Sequence, residues 1–174
     1  MIKILLYFII ISAVEVSAKM IISPLEAMRQ SFNSTKIDKE EYKLTDMQIK
    51  NIKESAKVKL KKKAITLFKA TKNDKIIGYG ILINRKVRSK NAAVLYMISS
   101  DSILKSIEVI AFNEPMEYIP SNTWMSQFQN RQTDNMLILS KEIPTITGAT
   151  MSARNIVDGS RVAFAFYNEV LKGR

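Results

Sequence analysis

The residues best suited to binding chemistry form the segment Thr147-Gly148-Ala149-Thr150-Met151-Ser152 near the carboxyl end of the chain. This segment lies between a predicted strand and a predicted long helix, and Gly148 removes side-chain bulk so that a ligand can approach the backbone. The first turn of a helix has unpaired N–H groups and a partial positive charge, which together suit a phosphate. A simpler role is also open, because Thr150 or Ser152 could act only as a helix N-cap.

The four residues Thr147-Gly148-Ala149-Thr150 resemble the flavinylation signature of the FMN-binding domain family. That family includes the small flavin subunits of ion-pumping NADH:quinone and ferredoxin:NAD oxidoreductase complexes. Its signature reads Asp-x-x-(Ser/Thr)-Gly-Ala-Thr, often followed by x-(Ser/Thr). The resemblance implies that Thr150 carries FMN through a phosphoester bond, which a dedicated flavin transferase forms.

The resemblance extends over residues 60–172 and is strongest over 143–172. The segment Gly78–Glu114 is similar to the family's antiparallel core, Trp124–Phe128 to its aromatic helix, and the helix from Met151 to its closing helix. One position departs from the signature, because Pro144 stands where the family has Asp. Glu142 lies two residues earlier and is a possible substitute. Two alternatives therefore stay open, a covalent bond at Thr150 or FMN held non-covalently by the same loop.

The resemblance also implies roles for individual residues in the flavin site. Thr147, Gly148, Ala149 and Ser152 would line the phosphate end through hydroxyl or backbone N–H groups. Trp124 and Met151 are candidates for contact with the flavin ring, or are core residues, because large apolar side chains mostly serve packing. Glu114, which precedes Pro115, either borders the flavin or is a carboxylate at the surface where a strand ends.

The composition excludes several chemistries. The chain has no cysteine and no histidine, so thiolate or imidazole zinc sites, c-type haem attachment and Ser–His–Asp or Cys–His nucleophile systems are impossible. Redox chemistry therefore requires an organic cofactor or a metal held by oxygen ligands. The net charge of +11 comes from scattered lysines, and the preferred interpretation is a solvated surface; the alternative is attraction to an acidic protein partner or anionic lipid. The only dense basic run, Lys59–Lys63, lacks interleaved aromatics, and we expect no nucleic-acid partner.

The amino terminus has the pattern of an export signal. Lys3 is followed by the apolar run Ile4–Val14, and Val16-Ser17-Ala18 resembles a cleavage site before Lys19. The run is too short to span a bilayer as a helix. We therefore predict a signal peptide over residues 1–18, and a mature protein in the periplasm or at the outer face of the bacterial membrane. An uncleaved anchor and a buried core helix are the alternatives.

Periodicity in the mature chain predicts a sheet followed by helices. Thr45 and Gln48 form a capping box before a helix with Ile49, Ile52, Ala56 and Leu60 on one face. Four strand-like segments joined by short turns predict an antiparallel meander: Ala64–Thr71, Ile76–Ile83, Ala92–Ile98 and Ile103–Phe112. Residues 34–44 are polar and predict a loop, and Ser121 predicts a helix cap. A short strand is predicted at 136–139, and the longest helix is predicted over Met151–Leu171.

These patterns together predict an α+β fold, in which helices flank the meander and a long carboxyl-terminal helix follows the flavin loop. The predicted organisation is a signal peptide (1–18), an amino-terminal extension (19–44) and an FMN-binding domain (45–174). The preferred function is an exported flavoprotein that relays electrons between redox partners, and not an enzyme with its own small substrate. The alternatives are a non-covalent FMN-binding sensory or assembly domain and a basic secreted interaction module without cofactor.

Overall fold

A computed structural model describes residues 20–34, 36–60 and 63–173. The predicted signal peptide, residues 1–18, lies outside the described residues. The strands are β1 (Lys36–Lys43), β2 (Ala64–Lys72), β3 (Lys75–Lys86), β4 (Asn91–Ser99), β5 (Ile103–Phe112) and β6 (Arg131–Gln132). The helices are α1 (Pro24–Phe32), α2 (Asp46–Ala56), α3 (Asn122–Met125) and α4 (Thr150–Phe166), with 3₁₀ turns at Met116–Tyr118 and Ser126–Phe128 and a π-helical turn at Tyr167–Leu171.

The strands form one antiparallel sheet in which each strand pairs with the next along the chain, from β1 to β6. This order confirms the predicted meander and the α+β class. Short turns suffice because antiparallel neighbours need no crossover. The capping box that begins α2 is also confirmed, since Thr45 and Gln48 exchange both hydrogen bonds. None of the helices in the described part of the chain is long and apolar enough to cross a membrane.

The sheet is covered on both faces. On one face β2, β3 and β4 present alternate residues, such as Leu67, Ile81 and Tyr96, to α2 and α4. On the opposite face Phe68, Leu95 and Met97 pack beneath α1. Because strand residues alternate between faces, this two-sided burial explains why β4 is buried over six of its nine residues.

Two glycines in β3 allow α1 to approach the sheet. A Cβ added at Gly78 would overlap the Phe32 ring, and one added at Gly80 would overlap the Met28 sulfur. Gly78 also lies beside a register shift between β2 and β3 at Ala70/Thr71. Glycines inside a strand often mark such a close approach or a bulge.

Two local predictions were wrong. Residues 34–44 were predicted as a loop, but Lys36–Lys43 form β1, which pairs with β2 over its whole length. Residues 136–139 were predicted as a short strand, but 136–138 have no regular secondary structure and Leu139 makes only an isolated bridge, to Ile143. β1 shows no alternation of apolar and polar residues, because its residues are mostly charged. The four apolar residues at 136–139 resemble a strand but have no partner strand.

The carboxyl-terminal helix is confirmed, although it begins at Thr150 and ends in the π-helical turn. One apolar stripe of the helix is buried and includes Ile156, Ala163, Tyr167 and Val170. The helix packs on β4 through Tyr96, whose hydroxyl donates to the Ile156 carbonyl at 2.9 Å. A Cβ at Gly159 would overlap that hydroxyl, so this glycine sets how closely α4 approaches the sheet. The long helix is thereby fixed with its amino terminus at the edge of the fold.

Candidate functional site

A cleft of 520 Å³ lies beside the amino terminus of α4. One wall is the segment Glu117–Ser121 with Trp124, and the other is the loop Thr145–Ala149. The volume lies within the range of small-molecule and cofactor sites, about 300–1,000 Å³. The cleft therefore brings the predicted aromatic helix and the predicted glycine loop to one place, although 20 residues separate Trp124 from Pro144 in the sequence.

The helix that borders this cleft begins without a side-chain cap. Its N-cap is Ala149, which has no side-chain acceptor, and neither Thr150 nor Ser152 occupies that position. The first amide of α4 with an intrahelical backbone partner is that of Ala153, which donates to Ala149 at 3.0 Å. The N–H groups of Thr150, Met151 and Ser152 precede it, so they make up the amide set that a phosphate would accept from.

Gly148 sets the path of the loop into the helix. Its φ of 81° lies in the left-handed region, where a side chain would be strained. A Cβ at this position would meet nothing within 4 Å, so the glycine is required by its backbone angle and leaves open space beside it. The turn is closed by the amide of Ala149, which donates to the Ile146 carbonyl at 3.2 Å.

The Thr150 hydroxyl is exposed and held in one orientation. It donates to the Ile146 carbonyl at 3.0 Å, so its oxygen keeps its lone pairs for a further contact. Met151, the next residue, is 44 % exposed, whereas Ser152 is buried on the inner side of the first turn. An exposed hydroxyl beside free amides is a suitable position for a phosphoester or for a hydrogen bond to phosphate.

Trp124 connects the two walls of the cleft. Its indole Nε1–H donates to the carbonyl of Pro144 at 2.9 Å, and its ring packs against Phe128 with centroids 5.2 Å apart. The side chain is buried but also lines the cleft, so the core role and the site role coexist. The position that departs from the family signature thus has a structural function here, because the Pro144 carbonyl anchors the loop.

The carboxylates of Glu114 and Glu142 each accept hydrogen bonds from the backbone amides of a turn. Glu114 accepts hydrogen bonds from the amides of Arg88, Ser89 and Lys90, which form the turn between β3 and β4. The Lys90 amide first, then those of Ser89 and Arg88, lower the pKa of Glu114 from its ordinary value against the opposing effect of burial. Glu142 accepts from the Ile138 amide at 2.9 Å within its own turn.

The structure brings together four of the predicted site residues in the cleft lining: Trp124, Thr147, Gly148 and Ala149. Thr150, Met151 and Ser152 follow directly in the first turn of α4, and Glu114 lies outside the lining, at the β3–β4 turn. The wall Glu117–Pro120 was not predicted. The sequence feature that could have indicated this wall is the aromatic and apolar pair Tyr118-Ile119 before Pro120. This pair lies at the end of the 3₁₀ turn Met116–Tyr118 and lines the cleft. Arg88 lies over the Tyr118 ring, 5.7 Å from its centroid, and connects this wall to the β3–β4 turn.

Comparison of the chain with protein-family models and with curated proteins gives no match.

Proposed function

We propose that this protein is an exported flavoprotein that binds FMN in the cleft beside α4 and relays electrons between protein partners. The observation that carries the proposal is the uncapped start of α4 at one end of a cleft whose other wall is aromatic and apolar. A flavin nucleotide has a matching shape, with a planar ring at one end and a phosphate at the other. The resemblance of residues 147–150 to the flavinylation signature agrees with this arrangement.

The phosphate end of FMN fits the first turn of α4. The amides of Thr150, Met151 and Ser152 belong to the uncapped first turn, and the helix dipole favours an anion there. Gly148 leaves open space beside the turn, so an anion can approach the backbone closely. Thr147 is exposed next to it and adds a hydroxyl donor.

The ring end fits the wall formed by Tyr118, Ile119 and Trp124. An isoalloxazine ring stacks well on aromatic and apolar surfaces, and the partly exposed Tyr118 is the side chain best placed to receive it. The Arg88 guanidinium over the Tyr118 ring adds positive charge near this wall. That charge favours the reduced, anionic flavin, because opposite charges attract across a site partly shielded from water.

Thr150 is the proposed acceptor of a covalent phosphoester. Its hydroxyl is exposed, and its hydrogen bond to the Ile146 carbonyl fixes the oxygen beside the free amides. A covalent bond has a physical rationale in an exported protein, because FMN that dissociates outside the cytoplasm is lost by dilution. The bound flavin would supply one- or two-electron transfer, while the protein supplies orientation and electrostatics.

Electron relay between proteins agrees with the surface around the cleft. Met116 and Met151 border the two walls and are each 44 % exposed, and methionine is enriched where proteins bind one another. The net charge of +11 favours an acidic redox partner, or a position close to anionic lipid. Transfer would then occur across a protein contact and would not need a pocket for a second small reactant.

The decisive experiment is the intact mass of the protein secreted by a bacterial host that supplies both FMN and a flavin transferase. We expect a yellow protein with a mass increment that matches FMN, and Thr150→Ala should lose the increment. Thr123→Ala is the matched control, since it removes an exposed hydroxyl from α3, outside the cleft. Retention of the increment in Thr150→Ala would refute the acceptor assignment.

The same preparation separates the alternatives. Colour that is lost on denaturation supports non-covalent FMN in the same loop, and a colourless protein overturns flavin binding altogether in favour of a basic interaction module. Electron relay is tested by titrating the flavin with a reductant and then adding a membrane fraction. Reoxidation of the flavin by the membrane supports relay, whereas a flavin that stays reduced indicates a sensory or assembly role.

A further inference from the structure

A second cleft, of 890 Å³, lies at the end of the sheet where β2 and β4 begin and β3 ends. The residues that line it and those that line the cleft beside α4 share no member in the described part of the chain. Its volume lies in the upper part of the range for small-molecule sites, about 300–1,000 Å³. The flavin proposal therefore leaves this cleft without a function.

The lining of the second cleft is strongly basic. Lys59, Lys63, Arg85 and Lys86 contribute cations, and Glu41 is the lining carboxylate. Glu41 accepts a hydrogen bond from Thr66 across the β1–β2 pair, so its position is fixed by the sheet. Lys63 also pairs with Asp46 at 3.3 Å, but both side chains are largely exposed and such pairs are weak. The cleft therefore keeps an excess of positive charge.

Arg85 extends this excess into the wall of the cleft. It pairs with Asp158 of α4 at 3.1 Å, and Arg161 approaches the same carboxylate at 3.7 Å, so two guanidinium groups share one carboxylate. The Nε atoms of Arg85 and Arg161 are buried and have no hydrogen-bond partner among the described residues. One Asp158 carboxylate cannot balance two guanidinium groups, so this wall keeps a net positive charge that favours an anion nearby.

Apolar side chains complete the lining. Leu60 comes from the segment after α2, Ile65 from β2, Ile83 from β3 and Val162 from α4. Two of these elements, β3 and α4, are held together, since Arg85 pairs with Asp158 and the Asn155 amide donates to the Lys86 carbonyl at 3.0 Å. A basic rim over an apolar floor selects a ligand with both characters, because a purely ionic ligand leaves the apolar surface in water.

We propose that this cleft binds a small amphiphilic anion, with an aliphatic body against Leu60, Ile65 and Val162 and a carboxylate or phosphate headgroup at Arg85 and Lys86. Lys59 and Lys63, the two ends of the basic run that the sequence shows, both line the site. Neither cleft depends on the other, so failure of this proposal leaves the flavin mass test unaffected.

The test is calorimetric titration of the secreted protein with dodecanoate and with dodecyl phosphate, both below their critical micelle concentrations. Two control probes each lack one feature. Dodecanol has the aliphatic body without the charge, and inorganic phosphate has the charge without the aliphatic body. We expect at least one dodecyl anion to bind more tightly than both control probes, and the better of the two identifies the headgroup. Equal affinity for dodecanol, or for inorganic phosphate alone, would overturn the proposal.

Variants locate the binding. The double change Lys59→Gln/Lys86→Gln alters two exposed lining residues, and Lys53→Gln/Lys75→Gln is the charge-matched control outside the lining. We expect the lining pair to weaken binding by about fivefold or more and the control pair to leave it unchanged, at equal salt concentration. Equal effects in the two double variants would show non-specific attraction and overturn the site. Displacement of the dodecyl anion by FMN would assign the cleft to the flavin instead.

Discussion

At the residue scale, the candidate site is made mainly of backbone groups, and the side chains serve to place them. The sequence predicts the position of the candidate site through the resemblance of residues 147–150 to the flavinylation signature, since a glycine among hydroxyl residues before a helix also fits a simple cap. It did not predict which residue begins the helix. The positive φ of Gly148 turns the chain so that Ala149 becomes the N-cap and Thr150 and Ser152 fall inside the helix. Residue types alone do not show which backbone φ a glycine adopts in the folded chain.

Pro144 gives a test of the proposed flavin transfer at this scale. The change Pro144→Asp introduces the Asp of the flavinylation signature that residues 147–150 resemble, and it keeps the backbone carbonyl that Trp124 binds. We expect faster incorporation of FMN by the transferase, because a carboxylate at this position aids recognition or places the Thr150 hydroxyl. The measurement is the fraction of protein with the FMN mass increment against time. A Pro144→Asp protein that is loaded no faster than the Pro144→Ala control would contradict the expectation.

Glu114 leads to a prediction about pH. Since the β3–β4 turn amides lower its folded pKa, the charged carboxylate stabilises the fold above the unfolded pKa of Glu, about 4.3. That contribution is lost as the pH falls through the lower, folded pKa. The unfolding free energy of wild type should therefore exceed that of Glu114→Gln at pH 6, and the difference should shrink toward pH 3.

The experiment is urea denaturation of both proteins at several pH values. Glu117→Gln is the control, because it removes a carboxylate from the neighbouring turn and leaves the acceptor of the Arg88, Ser89 and Lys90 amides intact. A difference between wild type and Glu114→Gln that stays constant from pH 6 to pH 3 would show that the charge itself does not hold the turn.

At the scale of elements, strand-like segments separated by short turns predicted β2 to β5 well, because each of these strands presents apolar residues to a helix-covered face. β1 was missed for a physical reason. It is an edge strand with six charged residues out of eight, and only Ile37 and Tyr42 pack against the two cores. Such charges protect an edge from pairing with other chains, and they also erase the period-two pattern. The strand is therefore defined by its partner β2 more than by its own sequence.

The contact between α4 and β4 gives a prediction at this scale. Gly159→Ala raises helix propensity by about 1 kcal/mol, but its methyl group would overlap the Tyr96 hydroxyl. We expect a net destabilisation of about 1–3 kcal/mol, as for other overpacked cores. Tyr96→Phe alone loses a buried hydrogen bond to Ile156, worth about 0.5–1.5 kcal/mol.

A double-mutant cycle separates the overlap from the lost hydrogen bond. With Phe at position 96 the hydroxyl is gone, so the added methyl group should cost less, and the double variant should be more stable than the sum of the single changes predicts. Urea denaturation of the four proteins gives the coupling. Strict additivity would mean that the helix shifts as a whole and that Gly159 does not set its distance from the sheet.

At the scale of the whole molecule, the sheet has a core on each face, and the amino-terminal segment supplies part of both. α1 covers Phe68, Leu95 and Met97, and β1 pairs with β2 over eight residues. The cleft beside α4 depends on this arrangement indirectly, because the sheet that positions α4 is completed by these elements. The division of the chain at residue 44 stays a prediction, and truncation tests it directly.

A chain that begins at residue 45 would lack α1 and β1. It would leave β2 as an unpaired edge and would expose a face that includes Phe68, Leu95 and Met97. Each large apolar side chain returned to water costs about 1.5–3 kcal/mol, and a few of them equal the whole stability of a typical domain, about 5–15 kcal/mol. We expect this chain to aggregate or to melt without a cooperative transition, whereas a chain from residue 20 should fold as a monomer. Size-exclusion chromatography and thermal melting followed by circular dichroism compare the two. If the chain from residue 45 were monomeric with an unchanged melting temperature, α1 and β1 would be an appendage, and the domain would begin at α2.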